Sequence, residues 1–316
     1  INRGESEGLL RVKIDIIEKR IINKLVNNFI LRDSIFKNYI ESAIEDSYHR
    51  LIAPAIEREI RNHLTNQAEE HAISVFATNL RNLLLQPPLT NHKVLAIDPA
   101  FRTGCKIAVL DELGDLLTNT TVYPHDPQNE KNKAKKIIIN LIKEYNLKLI
   151  AIGNGTACRE TEIIISELIE ELDQNLKYII VNEAGASVYS ASNIALEEFP
   201  NLDVSMRGAI SIGRRLQDPL AELVKINPKH IGVGMYQHDV SQSKLEISLE
   251  NVVESVVNYV GVDVNTASSS LLEYIAGIKS NVAKNIVQYR QDNNKITNLQ
   301  ELKNVYRLGP KTFTQV

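Results

Sequence analysis

The chain has no tryptophan, two cysteines, two methionines and only 5% aromatic residues in its 316 positions. So few rings exclude a broad platform on which successive nucleobases could stack. Cys105 and Cys158 share no short pairing or metal-ligand spacing. They indicate neither a disulfide framework nor a zinc site, and read as small buried hydrophobes of a reducing compartment, here the cytoplasm. No apolar run approaches the ~18 residues a membrane span needs, and no signal peptide opens the chain, so no membrane partner is expected. A global basic surplus is also missing, since the formal net charge is −3. Any contact with nucleic acid must therefore come from local patches. The glycines of Gly153-Asn154-Gly155 lack the third glycine of a dinucleotide fingerprint, and no Gly-Lys-Ser/Thr phosphate loop occurs. That segment reads as a tight strand-to-helix turn.

What is present is enough apolar sequence, 43% of residues, for a sizeable core in two or three domains. The chain opens on Ile1 without a Met and stops inside an element at Val316, which reads as an internal fragment of a longer protein. Residues 10–85 carry apolar side chains at three- and four-residue steps, as in Ile14, Ile17, Ile21, Leu25 and Phe29. A second such run is expected to stop before Pro54, and Pro54 to open the next helix. Pro87-Pro88 ends that helix as a stiff linker. His63 and His71 read as solvated helix positions.

From Asn91 the pattern changes to short apolar strands at 94–97, 107–110 and 118–123. A helix over 129–145, a strand over 149–152, a helix over 160–172 and a strand over 178–181 follow. Three strands without intervening helices imply an antiparallel meander, and the later helix–strand units add a parallel component. Together they match an RNase H-like arrangement. From 245 onward the chain is helical again.

Three acids are candidates for chemistry. Asp98 ends the first strand, Glu183 follows the strand over 178–181, and Asp218 lies in Arg214-Arg215-Leu216-Gln217-Asp218-Pro219. A carboxylate at the mouth of an apolar strand is costly to bury unless it is paired or binds a metal. Asp98 and Glu183 are expected to approach each other across the sheet, with Asp218 completing the cluster from a late helix. Three such acids could hold two Mg²⁺ or Mn²⁺ ions for phosphodiester cleavage. The plainer reading makes Asp218 a helix cap before proline. His125-Asp126 and His238-Asp239 read as loop hydrogen bonding.

Two short units resemble each other: Ile275-Ala276-Gly277-Ile278-Lys279-Ser280 and Val305-Tyr306-Arg307-Leu308-Gly309-Pro310. Each is an apolar residue, a glycine-bearing hairpin and a helix start, which reads as tandem helix–hairpin–helix elements. A glycine hairpin lets backbone amides approach a phosphate, and the following helix N-terminus favours it. The candidate nucleic-acid-binding residues are Gly277, Lys279, Ser280, Lys284, Arg290, Arg307, Gly309 and Lys311. Contacts of this kind are independent of sequence and sensitive to salt, so the partner would be RNA, DNA or both.

The runs Ile97-Asp98-Pro99-Ala100-Phe101-Arg102-Thr103-Gly104-Cys105-Lys106, Ile152-Gly153-Asn154-Gly155-Thr156-Ala157-Cys158-Arg159-Glu160 and Glu183-Ala184-Gly185-Ala186-Ser187-Val188-Tyr189-Ser190 carry a strong resemblance to the Tex family of bacterial transcriptional accessory proteins. Arg214-Arg215-Leu216-Gln217-Asp218-Pro219-Leu220-Ala221-Glu222 and Val260-Gly261-Val262-Asp263-Val264-Asn265 extend it. The resemblance implies a mainly α, multidomain chain: a helical N-terminal scaffold over 1–90, a YqgF-type RNase H-like domain with a mixed sheet over 91–240, and a helix–hairpin–helix domain over 241–316, truncated at its end. It implies a nucleic-acid-binding accessory or elongation-type factor working with RNA polymerase, its YqgF domain kept as a non-catalytic scaffold. A metal-dependent resolvase-type nuclease and a pure protein-interaction scaffold for the polymerase are the alternatives. One departure stands out. The family turn reads Asp-Pro-Gly, and Ala100 replaces that glycine. A left-handed φ there would strain Ala by roughly 1 kcal/mol, so the position is expected to tolerate Ala.

Overall fold

The computed structural model describes residues 1–30, 32, 35–172, 175–265, 267–293 and 296–315. The chain divides into two compact units, 1–72 and 73–316.

The first unit holds α1 (Asn2–Ser6), α2 (Glu18–Phe29), α3 (Lys37–Ser47) and the beginning of α4 (Ala53–Leu84). The helical pattern expected from residue 10 starts only at Glu18. The β-branched stretch Val12, Ile14, Ile16 and Ile17 favours extended backbone, and the Val12 amide donates to the Glu5 carboxylate. Arg61 ties this stretch to α4 by an ion pair with Glu5 at 2.7 Å and a bond to the Val12 carbonyl. The expected break before Pro54 is absent. A π-helical turn, Tyr48–Ile52, joins α3 to α4 without interruption. Proline lacks an amide proton and crowds the carbonyl four residues back, and the wider π turn accommodates both.

The second unit is built on a five-stranded sheet of β1 (Val94–Asp98), β2 (Cys105–Leu110), β3 (Leu116–Val122), β4 (Leu149–Gly153) and β5 (Lys177–Val181), in the order β3-β2-β1-β4-β5. β1 and β2 pair antiparallel, as do β2 and β3, whereas β4 runs parallel to both β1 and β5. This is the mixed arrangement the strand pattern implied. Side chains alternate between faces along each strand. Leu95, Ile97, Ile107 and Val109 point to one face, where they bury Ala134, Ile138 and Ile142 of α5 (Lys131–Tyr145) and Ile165 and Leu168 of α6 (Cys158–Leu172). Val94, Ala96, Ala108, Leu110 and Ala151 point to the other.

That second face is lined with small residues, so a helix can lie close to it. After α7 (Ala186–Ser190) and α8 (Asn193–Glu198), α9 (Val204–Gln217) crosses it, burying Ala209, Ile210, Ile212 and Leu216. Gln217 Nε2 donates to the carbonyls of His92 and Asp111, and so fixes the end of α9 beside the start of β1. α10 (Pro219–Leu223) follows at once.

The remaining helices are α11 (Gln242–Val260), α12 (Ser269–Leu272), α13 (Ser280–Asn293) and α14 (Pro310–Gln315), with a 3-10 turn at Leu299–Asn304. Among the described residues no helix is long and apolar enough to cross a membrane.

Candidate carboxylate site and nucleic-acid interface

Asp98 is the last residue of β1 and shares the α9 face with Val94 and Ala96 by strand alternation. Its cross-strand partner on β2 is Lys106, which alternation places on the same face. Lys106 is 9% exposed, and its ammonium donates to the carbonyls of Thr103 and Gly104. Burial is the larger cause that pushes the Asp98 carboxyl up to about 6; the charge of Glu183 adds to it and Lys106 opposes it.

Glu183 reaches this place by an unexpected route. It follows β5, and β4 lies between β5 and β1. Its carboxylate lies over the end of β4, in the room left by Gly153 and by Gly155 just beyond it. A Cβ on Gly155 would stand 1.6 Å from Glu183 Oε1, and one on Gly153 would stand 2.5 Å from Oε2. The Gly153-Asn154-Gly155 turn is therefore a seat for a carboxylate, not a cradle for a phosphate. Asn154 Oδ1 accepts the Glu183 amide at 3.0 Å, and the Asn154 amide donates to the Val181 carbonyl. From α9, Arg215 Nη1 donates to the carbonyls of Asn182 and Ala184 at 2.9 and 2.7 Å, gripping the backbone on both sides of Glu183. Glu183 Oε2 is buried and accepts no hydrogen bond among the described residues.

Asp218 does not join this pair. It caps α10, its Oδ1 accepting the Ala221 amide at 2.9 Å. The part of α9 beside Asp98 is Gly208, whose Cβ would lie 3.2 Å from Asp98 Oδ2. Ten residue steps along α9 separate Gly208 from the cap Asp218, about 15 Å at 1.5 Å per residue. The physical reason is direction: α9 starts at the carboxylate end of the sheet and finishes at the far end, where Gln217 meets His92. Asp218 is thus a helix cap. A two-ion site does not fit the residues present. No group of three or more His, Cys, Asp or Glu converges among the described residues, and the residue beside Asp98 across β2 is the cation Lys106.

The other polar candidates are structural. His125 is buried, with Nε2 2.9 Å from Thr161 Oγ1, and desolvation holds its imidazole below the usual range. His238 pairs with Asp239 at an exposed site. Cys105 is buried and Cys158 partly so, and both are free thiols. Ala100 lies outside the left-handed region, so its replacement of glycine carries no strain.

The tandem hairpins are superimposable in their bonding. The Ile278 amide donates to the Ile275 carbonyl at 3.0 Å, and the Leu308 amide donates to the Val305 carbonyl at 3.1 Å. Each is a turn whose third residue is left-handed, Gly277 at φ +85° and Arg307 at φ +67°. Asparagines brace both. Asn258 accepts the Ala276 amide and donates to the Tyr274 carbonyl, and Asn285 donates to the Tyr306 carbonyl at 2.7 Å. Lys279, Ser280, Lys284, Arg307 and Lys311 are exposed around these turns, and Gly309 is half-buried.

Arg290 is a correction to the candidate set. Its Nη1 donates inward to the carbonyls of Val264 at 3.0 Å and Ala267 at 2.8 Å, so this end of the guanidinium ties those two residues to α13. Desolvation lowers its pKa.

Lys106, Arg215, Gly208, Asn258 and Asn285 were missed by sequence reasoning. Lys106 left a signal, as the one charge in an otherwise apolar strand. Arg215 and the asparagines left none, because their partners are main-chain carbonyls and amides far away in sequence.

Residues 92–217 match the Tex protein YqgF-like domain, and residues 257–316 match a helix-hairpin-helix motif. The chain is 52% identical over 319 residues to uncharacterized protein YdcI of Bacillus subtilis, covering 100% of this chain and 44% of that protein. It is 46% identical over 322 residues to transcriptional accessory protein Tex of Neisseria gonorrhoeae, covering 99% of this chain and 42% of the relative. It is 44% identical over 328 residues to human S1 RNA-binding domain-containing protein 1, covering 100% and 32%. The chain thus spans less than half the length of these relatives.

Proposed function

We propose, from the premise that this chain belongs to the Tex family across its YqgF-like and helix-hairpin-helix regions, that it is the part of a cytoplasmic transcription accessory factor that grips a nucleic-acid backbone. In this reading residues 1–90 are a helical scaffold, 91–240 the YqgF-like domain and 241–316 the binding domain. The observation that carries it is the pair of like-bonded hairpins, with Lys279, Lys284, Arg307 and Lys311 exposed around them. Exposed amides and cations of this kind contact phosphates without reading sequence. RNA polymerase is the partner a Tex-like factor would serve.

The YqgF-like domain acts here as a scaffold. Asp98 and Glu183 support that role through their surroundings: Lys106 beside the first, and glycine on α9 where a third acid would need to stand. The test has two arms. Reversing Lys279 and Lys311 to Glu should weaken binding to short RNA and DNA and flatten its dependence on salt; unchanged affinity would sink the reading. Incubating labelled branched and single-stranded substrates with Mg²⁺ or Mn²⁺ should give no cleavage. Cleavage abolished by Asp98→Asn would establish the nuclease instead.

A further inference from the structure

The two hairpins share a backbone but not a tip. The first carries Ala276 and Gly277, and the second carries Tyr306 and Arg307 at the matching positions. Gly277 adopts its left-handed φ freely, but Arg307 adopts nearly the same φ, +67°, against the preference of any residue with a Cβ. Strain held at an exposed turn, where no packing needs that side chain, is a pointer to use. Tyr306 beside it is 71% exposed, so its ring is not part of a core. The backbone beneath the ring is nonetheless held, because Asn285 donates to the Tyr306 carbonyl at 2.7 Å. The Arg307 guanidinium lies 5.2 Å from the ring centroid. Arg307 makes no ion pair among the described residues.

Resting on the reading of the hairpins as backbone binders, we propose that the second hairpin is a contact for an unpaired nucleotide, with Tyr306 stacking on the base and Arg307 meeting a phosphate of the same strand. The chemistry separates the two tips. A small, smooth tip such as Ala276-Gly277 can approach the backbone of a duplex or a single strand closely. A tip that projects an aromatic ring finds no free base face in a duplex, whose bases are stacked on one another. An unpaired strand offers such faces, and stacking on them tolerates any base. The guanidinium beside the ring supplies both a phosphate partner and a further planar surface. The hairpin pair would then suit nucleic acid in which an unpaired stretch meets a second backbone contact one hairpin away.

The experiment compares the whole 316-residue chain with Tyr306→Ala, Tyr306→Phe and Lys279→Glu, each checked for unchanged folding by circular dichroism. Fluorescence anisotropy is read with short single-stranded RNA, single-stranded DNA and a DNA duplex at one salt concentration. Tyr306→Ala is expected to weaken single-strand binding about tenfold and to leave the duplex unchanged, with Tyr306→Phe behaving like the unmodified chain. Loss on both single strands assigns the contact to the base ring in general, and loss on one alone assigns it to that polymer. Tyr306→Ala acting equally on single strand and duplex, or on neither while Lys279→Glu weakens both, overturns this inference and leaves the backbone reading standing. Failure of the unmodified chain to bind any of the three removes the backbone reading itself.

Discussion

The carboxylate end of the sheet and the tandem hairpins both gather charge, and they treat it in opposite ways. At the sheet, Asp98 and Lys106 are drawn inward by strand alternation, and Glu183 joins them over Gly153 and Gly155. Their charges act on one another through a poorly solvated space, and the Asp98 carboxyl responds by rising to about 6. At the hairpins, Lys279, Lys284, Arg307 and Lys311 stand in solvent around a braced backbone. Glycine serves both places, but differently. Gly153 and Gly155 leave room for the Glu183 carboxylate, whereas Gly277 adopts its left-handed φ without the strain that Arg307 carries at the matching position. Charge at a sheet mouth is therefore governed by space and desolvation, and charge at a hairpin by reach.

Substitutions can break or sharpen that contrast. The largest effect is expected from Asp98→Asn. The folded-state pKa lies above the unfolded value, so the wild-type fold holds this proton more tightly, and the stability this contributes below about pH 4 is lost as the pH rises through about 6. Removing the charge should add about 2 kcal/mol at pH 7–8, allowing for some screening, and nothing near pH 4. Urea unfolding across that range reads it directly, and an equal gain at both ends would refute the desolvation argument. The same variant should leave nucleic-acid affinity alone, in contrast to the double reversal of Lys279 and Lys311. That reversal should cost on the order of tenfold or more and lower the salt slope by about 2. An affinity loss in Asp98→Asn would mean that the two regions are not independent.

Arg290→Ala tests the corrected assignment. Losing two charge-assisted bonds to part-buried carbonyls should destabilise the chain by about 1–2 kcal/mol, seen as a lower urea midpoint, while the affinity of the folded fraction stays unchanged. A selective affinity loss would return Arg290 to the binding set. Gly155→Ala should displace the Glu183 carboxylate at a cost of about 1 kcal/mol and let the Asp98 pKa fall, which an NMR titration of that carboxyl would follow. The smallest effect is expected of Arg307→Gly: a gain of about 0.5–1 kcal/mol from relieved backbone strain, measured by thermal unfolding.

Much of this was legible in the residues. Every strand from Val94 to Val181 lies where the apolar runs and turn residues placed it, most plainly β1, β2 and β4, whose burial on both faces leaves a continuous apolar signal. The twin hairpins were visible for a similar reason: their conformation is dictated locally, by an apolar residue followed by a turn. The same local logic failed at Pro54, where a π turn absorbed the proline, and at residues 10–17, where β-branched side chains and the Glu5 contact outweighed a helical spacing. It failed again at Asp218. The Asp-Pro pair announced a cap correctly, but its distance from Asp98 depends on which way α9 crosses the sheet.

The sequence by itself determined the strands, their order and most of the exposed cations of the hairpins, since periodicity and turn chemistry act over a few residues. The strand pairing then placed Asp98 on the same face as Ala96, opposite Lys106. Only the tertiary structure decided the company Asp98 keeps. The antiparallel course of α9 sends Asp218 away, the glycines of β4 admit Glu183 across an intervening strand, and Arg215 and Arg290 turn inward to main-chain carbonyls. Those outcomes rest on contacts between residues tens of positions apart, whose partners are mostly backbone and therefore leave no mark on residue identity.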